Sequence, residues 1–415
     1  MTIEKIQKTN LSNGIRVVSE YVDFVHSAAL GVWILAGSQN ETEETNGIAH
    51  LLEHMAFKGT TNRTAFQIAH TVESLGGILN AFTSKDLTCY YTRLMAEYLD
   101  TGVNVLSDLV LNSLFKNEEL EKEKGVITEE IKEIEDTPSD IIHDYFTQEL
   151  YPDHPLGRPI QGTVENIKSI RIDQIKNFVK TYYTADRLVV VASGKVEHDY
   201  LVELVNKYMS DIHVGNSKIA VPDLLPIREY RKVYSKPISQ SHIMIGRRIF
   251  PQSDFRRYHL ALLNVILSGG MSSRLFHNIR EKYGFVYAIY SFADFCSDEG
   301  LFGFYAGVDS KRMEKVKSMI YKELRKLANE PVSEEELKKA KQQFKGGLVL
   351  SLESMQARMI RFARMEILEK KLLTIDELLK ILENISSLDL QSLAKYLYDK
   401  DSFIETIIKP QNDSP

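Results

Sequence analysis

The sequence predicts an α+β fold with two structurally similar domains, each a mostly antiparallel sheet flanked by helices. Three observations lead there. Short β-favouring runs alternate with long helical patterns, several strands fall into hairpin-like pairs, and the order of elements in the first half recurs in the second. A chain of 415 residues also exceeds what one ordinary core supports, which favours more than one domain.

Along the first half, the turn Ser12-Asn13-Gly14 opens onto a strand at 15–19, and a second strand follows at 28–35. A helix then carries His50. The next helix, 65–75, stops at Gly76-Gly77, residues suited to a helix C-terminus. Phe82, Thr88, Tyr90, Tyr91 and Thr92 favour extended backbone, so 78–93 reads as two strands joined at Lys85-Asp86. Long helices are expected at 97–114 and 117–135, and RLVVVA at 187–192 forms a buried strand closed by Gly194. VGNSKIAVPDLLPI at 213–226 has two prolines and little periodicity, which marks it as a linker between domains 1–212 and 227–415. The second half gives a strand at 242–247, helices at 258–268 and 272–281, strands at 285–295 and 301–308, and then helices. Phe344, Leu348, Leu352 and Met355 within 337–365 have the helical spacing of core packing.

Composition narrows the function classes. Hydrophobic residues make up 43% and charged residues 26%, the balance of a folded globular chain. A net charge of −6 with no basic run argues against nucleic-acid binding. No apolar stretch approaches 18 residues, so no membrane span is expected, and the N-terminus has neither a signal-peptide core nor an Arg-rich transit face. Two cysteines, Cys89 and Cys296, suit reduced thiols and a cytoplasmic setting.

The chemistry concentrates in His50-Leu51-Leu52-Glu53-His54. On a helix, residues four apart share a face, so both imidazoles can reach one ion at about 2.0–2.1 Å. Glu53 lies close enough to that face to act as general base toward a water attacking a carbonyl. This is the inverted order of the HExxH zincins. The plainer reading is a surface helix that happens to carry two histidines and a glutamate. A catalytic zinc asks for a third ligand, and the helix at 117–135 offers several glutamates. Ile127, Ile131 and Ile134 mark its apolar face. Glu130 stands at the edge of that face and Glu123 shares its direction, whereas Glu129 falls on the wet side with Lys122, Lys132 and Glu133. The competing account pairs both inward glutamates with lysines on a solvated helix. His70, His143 and His154 have no partner at ligand spacing and read as surface or satisfied core histidines.

HLLEHMAFKGT at 50–60, GVITEE at 125–130 and the spacing between them resemble the pitrilysin and insulinase peptidases. The resemblance covers essentially the whole chain. It is nearest to the single-chain group of about 400 residues that includes mitochondrial processing peptidase β subunits and bacterial relatives. It implies a zinc-dependent endopeptidase acting on extended peptides in an enclosed chamber. His50, His54 and Glu130 would be ligands to one Zn²⁺ per chain, Glu53 the base and Glu123 a supporting carboxylate that orients a histidine. Mn²⁺ or Co²⁺ suits the same ligands. The segment 76–83 resembles the family's substrate-pairing edge strand, which offers Asn80, Ala81 and Phe82 to a peptide backbone; an ordinary strand turn at Asn80 is the alternative. SGGMSSRLFHNIREKYGFVYAIYS at 268–291 resembles the C-terminal signature and implies that Arg280 and Tyr287 donate toward the scissile region. Without the motif, those two read as a helix-end ion pair and a half-buried strand aromatic. The second half has no HxxEH of its own. A chamber of four domains implies a homodimer or a heterodimer with a related subunit, with Arg280 and Tyr287 serving this chain's zinc or a partner's. The alternative from another class is a catalytically silent structural or assembly subunit of the same family.

Overall fold

Residue alternation and burial sort the chain into two sheets whose strands run in the same order. The computed structural model describes residues 5–215, 223–227, 231–399 and 402–411. In chain order the first half forms β1 (Lys5–Asn10), β2 (Arg16–Tyr21), β3 (Ser27–Ile34), α1 (Ile48–Ala56), α2 (Ala65–Glu73), β4 (Ile78–Thr83), β5 (Thr88–Met95), α3 (Leu99–Asn112), α4 (Asn117–Asp136), α5 (Pro138–Leu150), α6 (Val164–Ser169), α7 (Ile172–Tyr182), β6 (Leu188–Gly194) and α8 (His198–Met209). The second half forms β7 (Arg231–Lys236), β8 (Ser241–Ile249), α9 (Arg256–Ser268), a π-helical turn (Phe276–Glu281), β9 (Val286–Phe295), β10 (Gly300–Val308), α10 (Met313–Asn329), α11 (Glu334–Ser351), α12 (Met355–Arg364), a π-helical turn (Met365–Glu369), α13 (Ile375–Asn384), α14 (Ser387–Leu397) and β11 (Ile404–Pro410).

The first sheet has the order β1-β2-β6-β3-β5-β4 and the second β7-β11-β8-β10-β9. Leaving out β1, the two orders match strand for strand. Each sheet also has one parallel contact at the matching place, β2 with β6 and β7 with β11, and antiparallel contacts elsewhere. The fold is therefore mixed α and β in two units of one topology, as the element order predicts. Central strands β3 and β6 are buried almost throughout because helices cover both of their faces, while the terminal strand β4 is half-exposed.

The chain divides differently from a single cut at 213–226. One compact unit holds the described residues of Met1–Lys132, Arg158–Asp223 and Ser351–Leu372; the other holds those of Glu133–Gly157, Leu224–Leu350 and Leu373–Pro415. The Asp223/Leu224 boundary falls within the expected linker, of which 216–222 lie outside the described residues. The correction is a pair of exchanged segments. Helix α5, from the first half, packs on β8 and β11; helix α12, from the second half, packs on β3 and β6. A glycine admits each one. A Cβ on Gly31 of β3 would lie 3.1 Å from the Met359 sulfur of α12, and a Cβ on Gly246 of β8 would lie 2.6 Å from the Phe146 ring of α5. A side chain at Gly246 would displace the Phe146 ring, and one at Gly31 would push the Met359 side chain aside.

In the first unit the other face of the sheet packs Leu30, Val32, Val190 and Ala192 against Leu51, Leu52, Met55, Leu106 and Leu109 of α1 and α3. This core fixes α1, and with it the functional side chains. The helical run expected at 337–365 is broken at 352–354, where Ser354 caps the start of α12.

Candidate metal centre

Helix α1 is short, and its sequence IAHLLEHMA divides its surface in two. Ile48, Ala49, Leu51, Leu52, Met55 and Ala56 are buried, which leaves His50, Glu53 and His54 along the remaining stripe, half-buried. The His50 and His54 rings are 4.7 Å apart between centroids. One donor atom from each of His50, His54 and Glu130 lies within 4.8 Å of the other two. Donors about 2.0–2.2 Å from a tetrahedral ion stand roughly 3.4 Å apart, so small side-chain rotations would close this trio on one cation.

Helix α4 supplies the carboxylates, and helical phase distributes them as expected. Glu129 is exposed and pairs with Lys132. Glu130 reaches the site with its Oε2 3.8 Å from His54 Nε2. Glu123, two turns earlier, is buried, and its Oε2 lies 3.2 Å from His54 Nδ1. His54 therefore turns one ring nitrogen toward Glu130 and the other toward Glu123, the disposition of a metal-ligating imidazole held by an outer carboxylate. Lys58 Nζ bonds the other Glu123 oxygen at 2.7 Å and holds that carboxylate in place.

The electrostatics fit a soft-to-borderline dication. Burial, and then the neighbouring His54, push the His50 imidazole down to about 4, so it is a neutral donor at physiological pH. Its Nδ1 is buried without a hydrogen-bond partner. Two imidazoles and one carboxylate form the donor set of a catalytic zinc site with an open fourth position. Burial raises the Glu53 carboxyl above the usual range, and a hydrogen bond from the Thr83 hydroxyl partly offsets this. Thr83 ends β4, so the strand and the base are joined directly.

The remaining expected residues fall in two places. Asn80, Ala81 and Phe82 lie on β4 beside α1, and among the described residues β4 pairs with β5 alone. Asn80 takes ordinary strand backbone, since its φ is not among the positive ones, and its Oδ1 accepts from Ala81 N at 2.8 Å. Arg280 and Tyr287 belong to the second unit. The Arg280 guanidinium lies 4.7 Å from the Phe276 ring centroid and 5.8 Å from that of Tyr287, whose side chain is 76% exposed. His70 stacks on Phe66, His143 bonds the Tyr290 hydroxyl, and buried His154 accepts from Leu156 N; none joins the site.

Sequence reasoning did not single out Thr83, Lys58 or Glu41 as partners of these residues. Lys58 follows His54 by four positions, a helical spacing that could have suggested it. Glu41, which bonds the first turn of α1, precedes that helix as an acid near an N-terminus, also a readable signal. Thr83 contacts a residue 30 positions away and has no local signature.

Residues 16–164 match the family model for insulinase, peptidase family M16, and residues 169–344 match that of the M16 inactive domain. The chain is 36% identical to the uncharacterized zinc protease YmxG of Bacillus subtilis (strain 168), over 99% of this chain and all of that one. It is 35% identical to the uncharacterized zinc protease SCO5738 of Streptomyces coelicolor, over 95% of this chain and 87% of that one. Among solved structures, a protease from Helicobacter pylori superposes with a TM-score of 0.90 at 24% identity, covering 98% of this chain and 100% of that one. A putative M16-like peptidase from Alicyclobacillus acidocaldarius gives 0.86 at 19%, covering 99% of each.

Proposed function

The chain belongs to the insulinase family of M16 peptidases, and from its site we propose that it is a zinc-dependent endopeptidase that hydrolyses extended peptides. One observation carries this reading: His50, His54 and Glu130 converge within 4.8 Å while Glu53 stands on the same face of the same helix. The relatives' names, zinc proteases, support the same metal and reaction class. Bound at this trio, zinc would supply Lewis acidity toward a peptide carbonyl and acidify water.

The rest of the work falls to the chain's own groups. Glu53, its pKa raised by burial, accepts a proton from the attacking water and returns it to the leaving amine. Thr83 holds that carboxylate against the end of β4. Lys58 fixes Glu123, and Glu123 in turn fixes the His54 ring. The outer edge of β4, unpaired among the described residues, offers backbone at Asn80, Ala81 and Phe82 for an incoming strand, which gives affinity that tolerates varied sequence. Exposed Tyr287 and the neighbouring Arg280 serve as donors to a substrate carbonyl or oxyanion. On this reading two chains, alike or related, close a chamber around the peptide, each with one zinc, in the cytoplasm.

The test is digestion of a mixed peptide library. Cleavage that stops with chelator and returns with added zinc is the expected result. Cleavage indifferent to chelation would overturn the metal reading. Stoichiometric zinc with no cleavage of any peptide would favour a catalytically silent assembly subunit.

A further inference from the structure

Helix α1 begins without an ordinary cap. Its N-cap is Gly47, which has no side chain to offer and takes left-handed backbone at φ 97°. A Cβ there would lie 2.5 Å from the Gln161 carbonyl oxygen, so the close approach of the 159–162 segment requires glycine. The first-turn N–H groups have no partners within a helix and must be satisfied from outside. Glu41, which is 5% exposed, takes those of Gly47 and Ala49, while the Ile48 N–H bonds the Thr45 carbonyl. Its Oε2 accepts from Gly47 N and Asn46 Nδ2, each at 2.8 Å, and its Oε1 accepts from Ala49 N at 2.8 Å. Asn46 also donates to the Pro159 carbonyl at 2.9 Å, and Arg158 Nη1 donates to the Glu41 carbonyl at 2.7 Å.

Burying a carboxyl group in this place is an expensive way to start a helix, since a serine or threonine at the cap would satisfy a first-turn N–H without burying an ionisable group. The position of the ligands gives the reason. His50 is the third residue of α1 and lies inside the first turn, next to the Ala49 N–H that Glu41 holds. Glu53 and His54 lie a turn later and have their own supports in Thr83 and Glu123. His50 Nδ1 has no hydrogen-bond partner, so among the described residues no side chain orients its ring by that atom. The start of the helix is what fixes where His50 points.

We infer that Glu41 is a positioning residue for the metal centre, holding the first turn of α1 so that His50 meets the ion at ligand distance. The inference rests on the zinc reading above and adds to it a residue that touches neither metal nor substrate.

The experiment measures equilibrium zinc affinity of the full chain by competition with a chromophoric chelator, alongside thermal melting. It compares wild type with Glu41→Gln, Glu41→Asp and Glu366→Gln. Glutamine keeps the shape but sets an amide donor against N–H groups; aspartate keeps the charge but is too short to reach both. Glu366 is another buried carboxylate of the same unit, paired with Lys8 and Arg16, and serves as the control for general destabilisation. Both Glu41 variants are expected to weaken zinc binding at least tenfold, the range for outer residues of a metal site, while Glu366→Gln stays within twofold. Wild-type affinity in the Glu41 variants, or an equal loss in Glu366→Gln, would overturn the inference. Should Glu41→Gln fail to fold, Glu41→Asp decides. Wild type that binds no zinc would defeat the zinc reading itself, whereas zinc bound equally well by wild type and by the Glu41 variants defeats only the role of Glu41.

Discussion

The first and second units build the same seam from different chemistry. In the first, α1 lies beside β4 and a buried carboxylate, Glu53, meets the Thr83 hydroxyl. In the second, α9 lies beside β9, and Ser291 bonds Asn264 Oδ1 at 2.9 Å and Ser268 Oγ at 2.8 Å. The next helix pair differs in the same way. Aligning Glu118-Glu119-Leu120 of α4 with Glu335-Glu336-Leu337 of α11 sets Glu123 opposite Ala340 and Glu130 opposite Gly347. Leu120 and Leu337 are both buried, yet the two inward glutamates of α4 have uncharged counterparts in α11. Topology alone therefore does not make a site: one scaffold accepts either a cation-binding cluster or an uncharged hydrogen-bonded seam.

The largest contrast between the seams is kinetic. Glu53→Gln should reduce kcat by roughly 10²–10⁴, the range for a general base, while zinc content is unchanged. Asn264→Ala in the matching seam should leave kcat within a few-fold and cost about 1 kcal/mol of stability, read by urea unfolding. Comparable losses of kcat in both variants would erase the distinction. Next comes the helix pair. Ala340→Glu buries a carboxylate with no cation designed for it and should cost on the order of 3 kcal/mol, whereas Glu123→Gln should weaken zinc binding about 10- to 100-fold.

The helix starts differ in the sign of their pH response. Burial pushes the Glu41 carboxyl up to about 7 despite hydrogen bonds from Ala49, Asn46 and Gly47 and the charge of Lys85. The folded state keeps a proton there that the unfolded state releases near 4.5. Stability from this group is thus fully present below about pH 4.5 and lost as pH rises through 7, about 3 kcal/mol in all. At α9, Asp254 bonds Arg256, which holds its carboxyl below the usual range, so its contribution is present at neutral pH and lost only in acid. Unfolding of metal-free protein at pH 5 and pH 7.5 should show wild type losing about 2 kcal/mol relative to Glu41→Gln. Parallel pH curves for the two proteins would refute this. The smallest effect is expected in α11, where a Cβ on Gly346 or Gly347 meets nothing within 4 Å. Gly347→Ala should stabilise the second unit by about 0.5–1 kcal/mol, and Gly125→Ala in α4 should do the same for the first, both read as a higher melting temperature.

What could be read from sequence was local and periodic. The spacing of His50, Glu53 and His54, the preference for Glu130 over Glu129, and the β4–β5 hairpin all follow from helical or strand period; the fold puts the first three on one stripe of α1, Glu129 in solvent with Lys132, and β4 beside β5. The exchange of α5 and α12 was not readable, because an amphipathic helix declares that it has a buried face but not which sheet will cover it. Strand β11 shares that limit: it closes the chain yet pairs between β7 and β8, a partnership that no nearby residue encodes. Thr83 shares that limit too, since it acts on α1 from 30 residues away.

The most direct test of one metal centre in the first unit and none in the second is the zinc content of the purified chain. Wild type should hold one zinc per chain after removal of loosely bound metal, and a His50→Ala, His54→Ala double variant, still folded, should hold none. Zinc retained in the double variant, two zinc ions per wild-type chain, or none at all would contradict the assignment.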